Sequence, residues 1–321
     1  MNEKKERIVF DVAYQPQVRT NTDTRRIMLD VIIALIPAVI VGVINFGFAI
    51  LLPIATSVAS AVFFEWAYRK FMKKPDSIGD LTAVLTGLLM AMTMPPQAPW
   101  WMPIIGTFFA IVVVKQLYGG LGKNFLNPAL AGRAILVASY AGTMTSWADP
   151  AGPKAALFGA TPDLVTTATP LAMMKGGNFE ALLETYDVAD MFLGQIPGSL
   201  GEVSAIALLI GLVYLLARKV ITARIPLAYI GTVAVLTFLF PMGNDRIAWM
   251  LAQVCGGGLM LGAIFMATDY VTSPVTKLGQ LVYGIGCGVL TVMIRYFGGY
   301  NEGVSYAILI MNTCVVLLDR I

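Results

Sequence analysis

Ile27-Met-Leu-Asp-Val-Ile-Ile-Ala-Leu-Ile-Pro-Ala-Val-Ile-Val-Gly-Val-Ile-Asn-Phe-Gly47 decides the fold class. It holds one charge, Asp30, in a run long enough to cross about 30 Å of hydrocarbon as a helix. The next run, 48–68, follows almost without a linker, and the same pattern recurs along the chain at 80–94, 101–118, 127–146, 203–217, 225–241, 247–268, 279–297 and 303–319. Of the 321 residues 57% are hydrophobic and only 13% charged, whereas soluble domains run near 45–50% and 25%. The sequence therefore predicts an all-α polytopic membrane protein of ten spans.

Basic residues orient it. With the N-terminus inside, Lys4, Lys5, Arg7, Arg19, Arg25, Arg26, Arg69, Lys70, Lys73, Lys74, Lys115, Lys123, Arg218, Lys219, Arg224, Lys277 and Arg320 fall on the cytoplasmic side, the bias expected of inner loops. Lys154, Lys175, Arg246 and Arg295 fall outside. Both termini are thus expected in the cytoplasm. Residues 1–26 are polar and basic with no early apolar core, so no cleavable signal is expected and they read as a cytoplasmic segment.

The spans divide at a polar stretch, 147–202, which holds Asp149, Asp163, Glu180, Glu184, Asp187, Asp190 and Glu202 against two lysines. It reads as an acidic outer loop with short helical pieces. On either side lie five spans, 27–146 and 203–321. An odd-numbered repeat must be inverted in the membrane, as in transporters whose sites lie at broken helices near the midplane. Gly87-Leu-Leu-Met-Ala-Met-Thr93 and Gly262-Ala-Ile-Phe-Met-Ala-Thr268 occupy the third span of each half, each followed by proline (Pro95, Pro96 and Pro274). The first is cut short by Pro-Pro and the second interrupted by Gly256-Gly257-Gly258, so both are expected to be half-helices in a protein interior.

The chain has no histidine, and Cys255, Cys287 and Cys314 are widely separated in apolar segments. Haem, zinc and iron–sulfur ligation are disfavoured, and no metal site is expected. Ionisable residues inside the spans are candidates for function. Arg133 follows Gly119-Gly-Leu-Gly-Lys-Asn124-Phe-Leu-Asn127-Pro128, which lacks the hydroxyl residue of a phosphate-binding loop and reads as an irregular turn or re-entrant entry. Arg133 is suited to neutralise a flavin, a carboxylate or helix-end carbonyls. Lys115, Asp269 and Asp30 read either as interfacial charges reaching water or as parts of a site. Asp269 precedes Val271-Thr272-Ser273-Pro274, whose hydroxyls suit a cation or a bound ligand.

The sharpest motif is Asp163-Leu-Val-Thr166-Thr167-Ala168-Thr169 in the outer loop. D-x-x-[ST]-x-A-[ST] is the acceptor pattern for FMN joined through a phosphoester to the final hydroxyl by a flavin transferase. Average residue usage gives roughly 0.02 chance matches in a chain of this size. A transferase must reach the hydroxyl, so Thr169 is expected to be exposed. Thr167 stands where glycine is usual.

Taken with Arg25-Arg-Ile-Met-Leu-Asp30, Leu81-Thr-Ala-Val-Leu-Thr-Gly-Leu-Leu89 through Pro95-Pro96, Lys115-Gln-Leu-Tyr-Gly-Gly-Leu-Gly-Lys-Asn124 through Arg133, Phe265-Met-Ala-Thr-Asp-Tyr-Val-Thr-Ser-Pro274, and Gly284-Ile-Gly-Cys-Gly288 leading to Gly303, the chain resembles the RnfD/NqrB family of membrane electron-transport subunits. The start close to the first span favours the RnfD branch. The resemblance implies a ten-helix subunit carrying covalent FMN on Thr169, working beside RnfA, RnfB, RnfC, RnfE and RnfG. Such a complex moves electrons between ferredoxin and NAD and carries Na+ or H+ across the bilayer. It further implies a second, non-covalent flavin such as riboflavin, for which Lys115, Asn124, Arg133, Asp269, Thr272 and Ser273 are candidates, as they are for an ion path. The alternatives are the B subunit of a sodium-pumping NADH:quinone reductase, or a channel or secondary transporter without redox chemistry. No nucleic-acid partner is expected.

Overall fold

The computed structural model describes residues 23–150, 152, 154, 167–177 and 179–320. Every regular element among them is helical. The first half comprises α1 (Thr24–Phe46), α2 (Leu51–Phe71), α3 (Thr82–Met92), α4 (Met102–Gln116, π-wound from Phe109) and α5 (Pro128–Ser139). A connecting region holds short α6 (Ala141–Met144), α7 (Pro170–Lys175), α8 (Phe179–Thr185) and α9 (Val188–Leu193). The second half comprises α10 (Ala205–Ala217), α11 (Arg224–Leu239), α12 (Arg246–Cys255), α13 (Leu259–Met266, π-wound from Gly262), α14 (Lys277–Phe297) and α15 (Val304–Leu318).

The faces of α1 are inverted relative to a soluble helix. Leu29, Ile33, Ile36, Ile40 and Ile44 are exposed at helical spacing, while the buried side is built from Asp30, Ala34, Leu35, Ala38 and Gly42. Large branched residues outside and small residues inside are what a bilayer demands, because lipid offers helices no hydrophobic drive and association relies on close approach. A Cβ on Gly211 of α10 would sit 2.5 Å from the Ala34 carbonyl of α1, so the backbones nearly touch there. Thr24–Phe46, Phe48–Phe71 and Lys277–Phe297 are each long and apolar enough to cross a membrane. The pair α12 and α13, bent by 58° at Gly256-Gly257-Gly258, passes the same test jointly. The remaining apolar helices are shorter, and each of the apolar runs read from the sequence carries one of these helices or the bent pair.

The two halves pack with matching partners. In the first, α2 lies against α3 and α4, and α4 against α5; in the second, α11 lies against α13 and α14, and α14 against α15. Between them α1 meets α10 and α5 meets α15. Both third helices are interior: in α3 every residue from Gly87 to Met92 is buried, and from Leu259 to Ala267 every residue is. The three glycines make the break possible, since Gly257 and Gly258 take φ of +65° and +69°, where a Cβ is strained.

Candidate functional site

Two cavities flank this interior, one at the start of α3 and one beside Thr169. The first offers about 790 Å³ of empty space, part of it open to solvent, and is lined by Thr82, Thr86, Lys115, Asn124, Asn127 and Asp269 among apolar side chains that include Phe265. Asn127 caps α5, accepting from Ala129 N and Leu130 N with Pro128 as the first helical residue, and its amide donates to the Met266 carbonyl at 3.2 Å. The start of α5 is thereby tied to the end of α13. The approach loop is an irregular turn, with φ of +116°, +93° and +84° at Gly119, Gly120 and Gly122.

Lys115 does not reach water, which corrects the interfacial reading. It is 2% exposed, and its Nζ donates to Glu65 Oε2 at 2.6 Å and to Thr82 Oγ1 at 2.7 Å. Glu65 is legible as a charge inside the second span, but nothing in the local sequence links it to Lys115 fifty positions away. Asp30 is likewise paired, accepting from Tyr214 Oη and from Arg218 Nε and Nη2. Asp269 reaches the cavity and accepts from Thr272 Oγ1 at 3.0 Å, whereas Ser273 is joined to it only through the backbone. The hydroxyls of Thr272 and Ser273 do not line the space.

The second cavity, of about 730 Å³, lies between α5, α7 and the start of α15. Arg133, Trp147, Thr167, Ala168, Thr169, Tyr300, Glu302, Ser305 and Tyr306 contribute to its wall. Three residues of the acceptor motif and Arg133 thus share one space. Asp163 and Thr166 lie outside the described residues.

Thr169 is only 8% exposed, not the open loop position expected for it. The reason is local: it caps α7, its Oγ1 accepting from Ala172 N at 3.2 Å, with Pro170 at the first helical position. Lys175 at the other end of α7 donates to the Gly298 and Tyr300 carbonyls and holds the segment against the loop before α15. An ester at Oγ1 replaces its proton and leaves the accepting role of that oxygen available. Three aromatic side chains, Trp147, Tyr300 and Tyr306, and the Arg133 guanidinium line the space, a lining whose chemistry suits a flavin ring.

Behind the hydroxyl lies a buried charge cluster. Arg133 Nη1 donates to Glu202 Oε1 at 3.1 Å and to Ser305 Oγ at 3.2 Å, and Nη2 donates to Glu302 Oε2. Of the choices the sequence leaves open for Arg133, it takes carboxylates. Glu202 enters through the helix break: a Cβ on Gly258 would lie 2.4 Å from its Oε1, so the carboxylate sits at the N-terminal end of α13, where the helix dipole favours an anion. Burial pushes Glu202 up to about 7, against the pull of Arg133 and with the repulsion of Glu302. Arg295, read from sequence as an outer flank, is 3% exposed and donates to the carbonyls of Gln253, Gly256, Gly257 and Glu302 and to the Gln253 side chain. The signal for this is its place inside the ninth apolar run.

The chain matches the NQR2, RnfD, RnfE family over residues 11–321. It is 46% identical to the D subunit of the Na(+)-translocating ferredoxin:NAD(+) oxidoreductase complex of Acetobacterium woodii, over 96% of this chain and 92% of that protein. It is 42% identical to the D subunit of the proton-translocating ferredoxin:NAD(+) oxidoreductase complex of Clostridium ljungdahlii, over 97% and 94%. The D subunit of the ion-translocating oxidoreductase complex of Actinobacillus succinogenes shares 36%, over 97% and 96%.

Proposed function

The chain belongs to the NQR2, RnfD, RnfE family, and on that premise we propose that it is the D-type membrane subunit of an ion-translocating ferredoxin:NAD+ oxidoreductase, carrying FMN covalently on Thr169. The three relatives named above are all D subunits, which favours this branch over the quinone reductase's B subunit. The observation that carries the flavin is that Thr169, the last residue of the acceptor motif, stands in the wall of a cavity lined by Trp147, Tyr300, Tyr306 and Arg133. Bound there, FMN would supply an electron relay that histidine and clustered cysteines cannot.

In this reading residues 27–146 and 203–321 form two inverted five-helix repeats that together cross the bilayer ten times. The matched packing of α2, α4 and α5 with α11, α14 and α15 supports it. Residues 1–26 lie in the bacterial cytoplasm with the Lys115 cavity, and 147–202 form the flavin-bearing region on the opposite side, where a flavin transferase matures it. RnfA, RnfB, RnfC, RnfE and RnfG are the partner subunits. Lys115, Asn124 and Asp269 would hold a second, non-covalent flavin such as riboflavin in the first cavity or border an ion route, with Thr272 orienting Asp269.

Charge arriving at Thr169 changes the local field, which gives an ion in a nearby route a differential interaction with the two redox states. Arg133 would help to hold the bound cofactor, and the packed interface of α5 with α15 would be the element that responds to the change. The coupled ion is Na+ or H+.

The test is ultraviolet fluorescence of the denatured protein in a gel. A fluorescent wild-type band, lost in Thr169→Ala and retained in Thr167→Ala, is the expected result. A dark wild-type band, or fluorescence that survives Thr169→Ala, overturns the assignment. Ion flux that stays coupled to electron transfer in Thr169→Ala overturns the coupling role.

A further inference from the structure

The cluster behind Thr169 has one carboxylate more than its hydrogen-bonded cation can match. Arg133 serves both Glu202 and Glu302, and the side chains of Arg133 and Glu202 are 6% and 5% exposed. Glu302 is 22% exposed and so connects the cluster to water. Glu202 and Glu302 also line a smaller cavity with Thr169 and Gly257, which places both acids beside the acceptor residue. A second carboxylate in a dry site is costly when a single arginine suffices to hold one.

The remaining polar groups around it are committed elsewhere. From α14, Arg295 spends its donors on carbonyls and the Gln253 amide oxygen, so it adds positive charge without bonding either carboxylate. From α7, Lys175 is held on the Gly298 and Tyr300 carbonyls. Tyr300 and Tyr306 face the cavity beside Arg133. Of the two acids, Glu202 is the deeper, and adding a proton to it leaves the Arg133–Glu302 pair intact.

We infer that Glu202, held with Glu302 on Arg133, is the proton-accepting group that compensates negative charge arriving on the cofactor at Thr169. This rests on the reading that Thr169 carries flavin. An electron delivered to that site by a one-electron flavin or iron–sulfur carrier of the complex is balanced by one proton. The proton leaves hydronium in the aqueous phase next to Glu302, forms an O–H bond on a Glu202 carboxylate oxygen, and returns to water when the electron moves on. Burial holds Glu202 near neutrality, which suits this exchange.

The test is a reduced-minus-oxidised infrared difference spectrum of the purified membrane complex containing this chain, with dithionite as reductant and flavin fluorescence read on the same sample. Reduction is expected to produce the C=O stretch of a protonated carboxyl group, missing in Glu202→Gln while the fluorescence remains. In Glu302→Gln the repulsive neighbour is gone, and the pH at which the stretch is half-developed is expected to fall. A fluorescent wild type without the stretch, or a stretch that persists in Glu202→Gln, overturns the inference and leaves the flavin assignment standing. Should Glu202→Gln not assemble, an unmoved midpoint in Glu302→Gln overturns it. A wild-type band without fluorescence overturns the assignment of Thr169 and the inference together.

Discussion

Lys115 Nζ lies 2.6 Å from Glu65 Oε2, with the two side chains 3% and 1% exposed. Neither charge has water to fall back on: without Lys115, Glu65 keeps only the Ser77 hydroxyl and the longer contact of Arg69 at 3.9 Å, and without Glu65, Lys115 keeps only Thr82 Oγ1. Lys115→Met is expected to destabilise by about 3–5 kcal/mol, and the double variant Lys115→Met, Glu65→Leu by much less, because a well-packed apolar pair replaces a buried ion pair at little net cost. The temperature at which the detergent-solubilised protein loses its monodisperse size-exclusion peak measures both. Equal losses in the single and double variants would show that the pair carries no coupling.

In the proposed reading Thr169 both caps α7 and carries FMN, so one substitution removes both roles and another keeps both. Its Oγ1 caps α7 by accepting from Ala172 N, so Thr169→Ala is expected to cost about 1 kcal/mol of local stability in addition to losing the flavin. Thr169→Ser keeps both the accepting oxygen and the esterifiable hydroxyl. Its gel fluorescence is expected to match wild type within about twofold. Because the hydroxyl is buried in the docked segment, Lys175→Ala, which frees α7 from the Gly298 and Tyr300 carbonyls, is expected to speed labelling by the transferase. Labelling of a purified unmodified protein over time checks this, and an unchanged rate would rule out docking as a barrier.

Hydropathy makes the helices legible because a bilayer leaves little freedom: an apolar run of sufficient length has few folds open to it. The two shortened third helices are also legible, since Pro95-Pro96 and Gly256-Gly257-Gly258 break a helix by known chemistry. The ion pairs are not. Glu65 and Lys115, or Arg133 and Glu202, are separated by 50 and 69 positions, and only tertiary packing brings them together. For Thr169 the motif and the environment part company, because a Thr-Pro pair ahead of a short apolar stretch is also a helix start, and the cap buries the hydroxyl that the motif alone leaves open. Arg295 shows a third kind of loss: charge counting treats every basic residue near a span end as a flank, and this one turns inward to a helix break.

Gly258 carries the approach of Glu202. Its φ is +69° and an added Cβ would fall 2.4 Å from the Glu202 carboxylate, so Gly258→Ala strains the backbone and displaces the acid from Arg133. The expected loss is roughly 1–3 kcal/mol for the backbone alone, with the carboxylate adding to it. Gly231→Ala on α11, where a Cβ would meet nothing within 4 Å, is the matched control. It is expected to be neutral or stabilising by about 0.5–1 kcal/mol. Thermal stability of the two variants side by side decides the matter, and equal values would remove the steric argument.

The raised affinity of Glu202 for its proton fixes a direction for stability against pH. Burial, reinforced by Glu302, lifts it to about 7 in the folded protein, while an unfolded chain returns it to about 4.3. The folded state therefore binds more protons than the unfolded one between those values. The contribution of Glu202 to stability is fully present below the unfolded value and is lost as pH rises through about 7. Glu202→Gln, uncharged throughout, is expected to flatten this part of the profile, so the difference in unfolding temperature between variant and wild type should move in the variant's favour from about pH 4 to pH 7. Glu302→Gln removes a repelling charge, lowers the affinity of Glu202 for its proton and shifts the loss to lower pH. Parallel thermal scans of the three proteins across that range test the sign. A difference that stays constant, or moves toward wild type as pH rises, would mean that Glu202 is already ionised in the folded cluster.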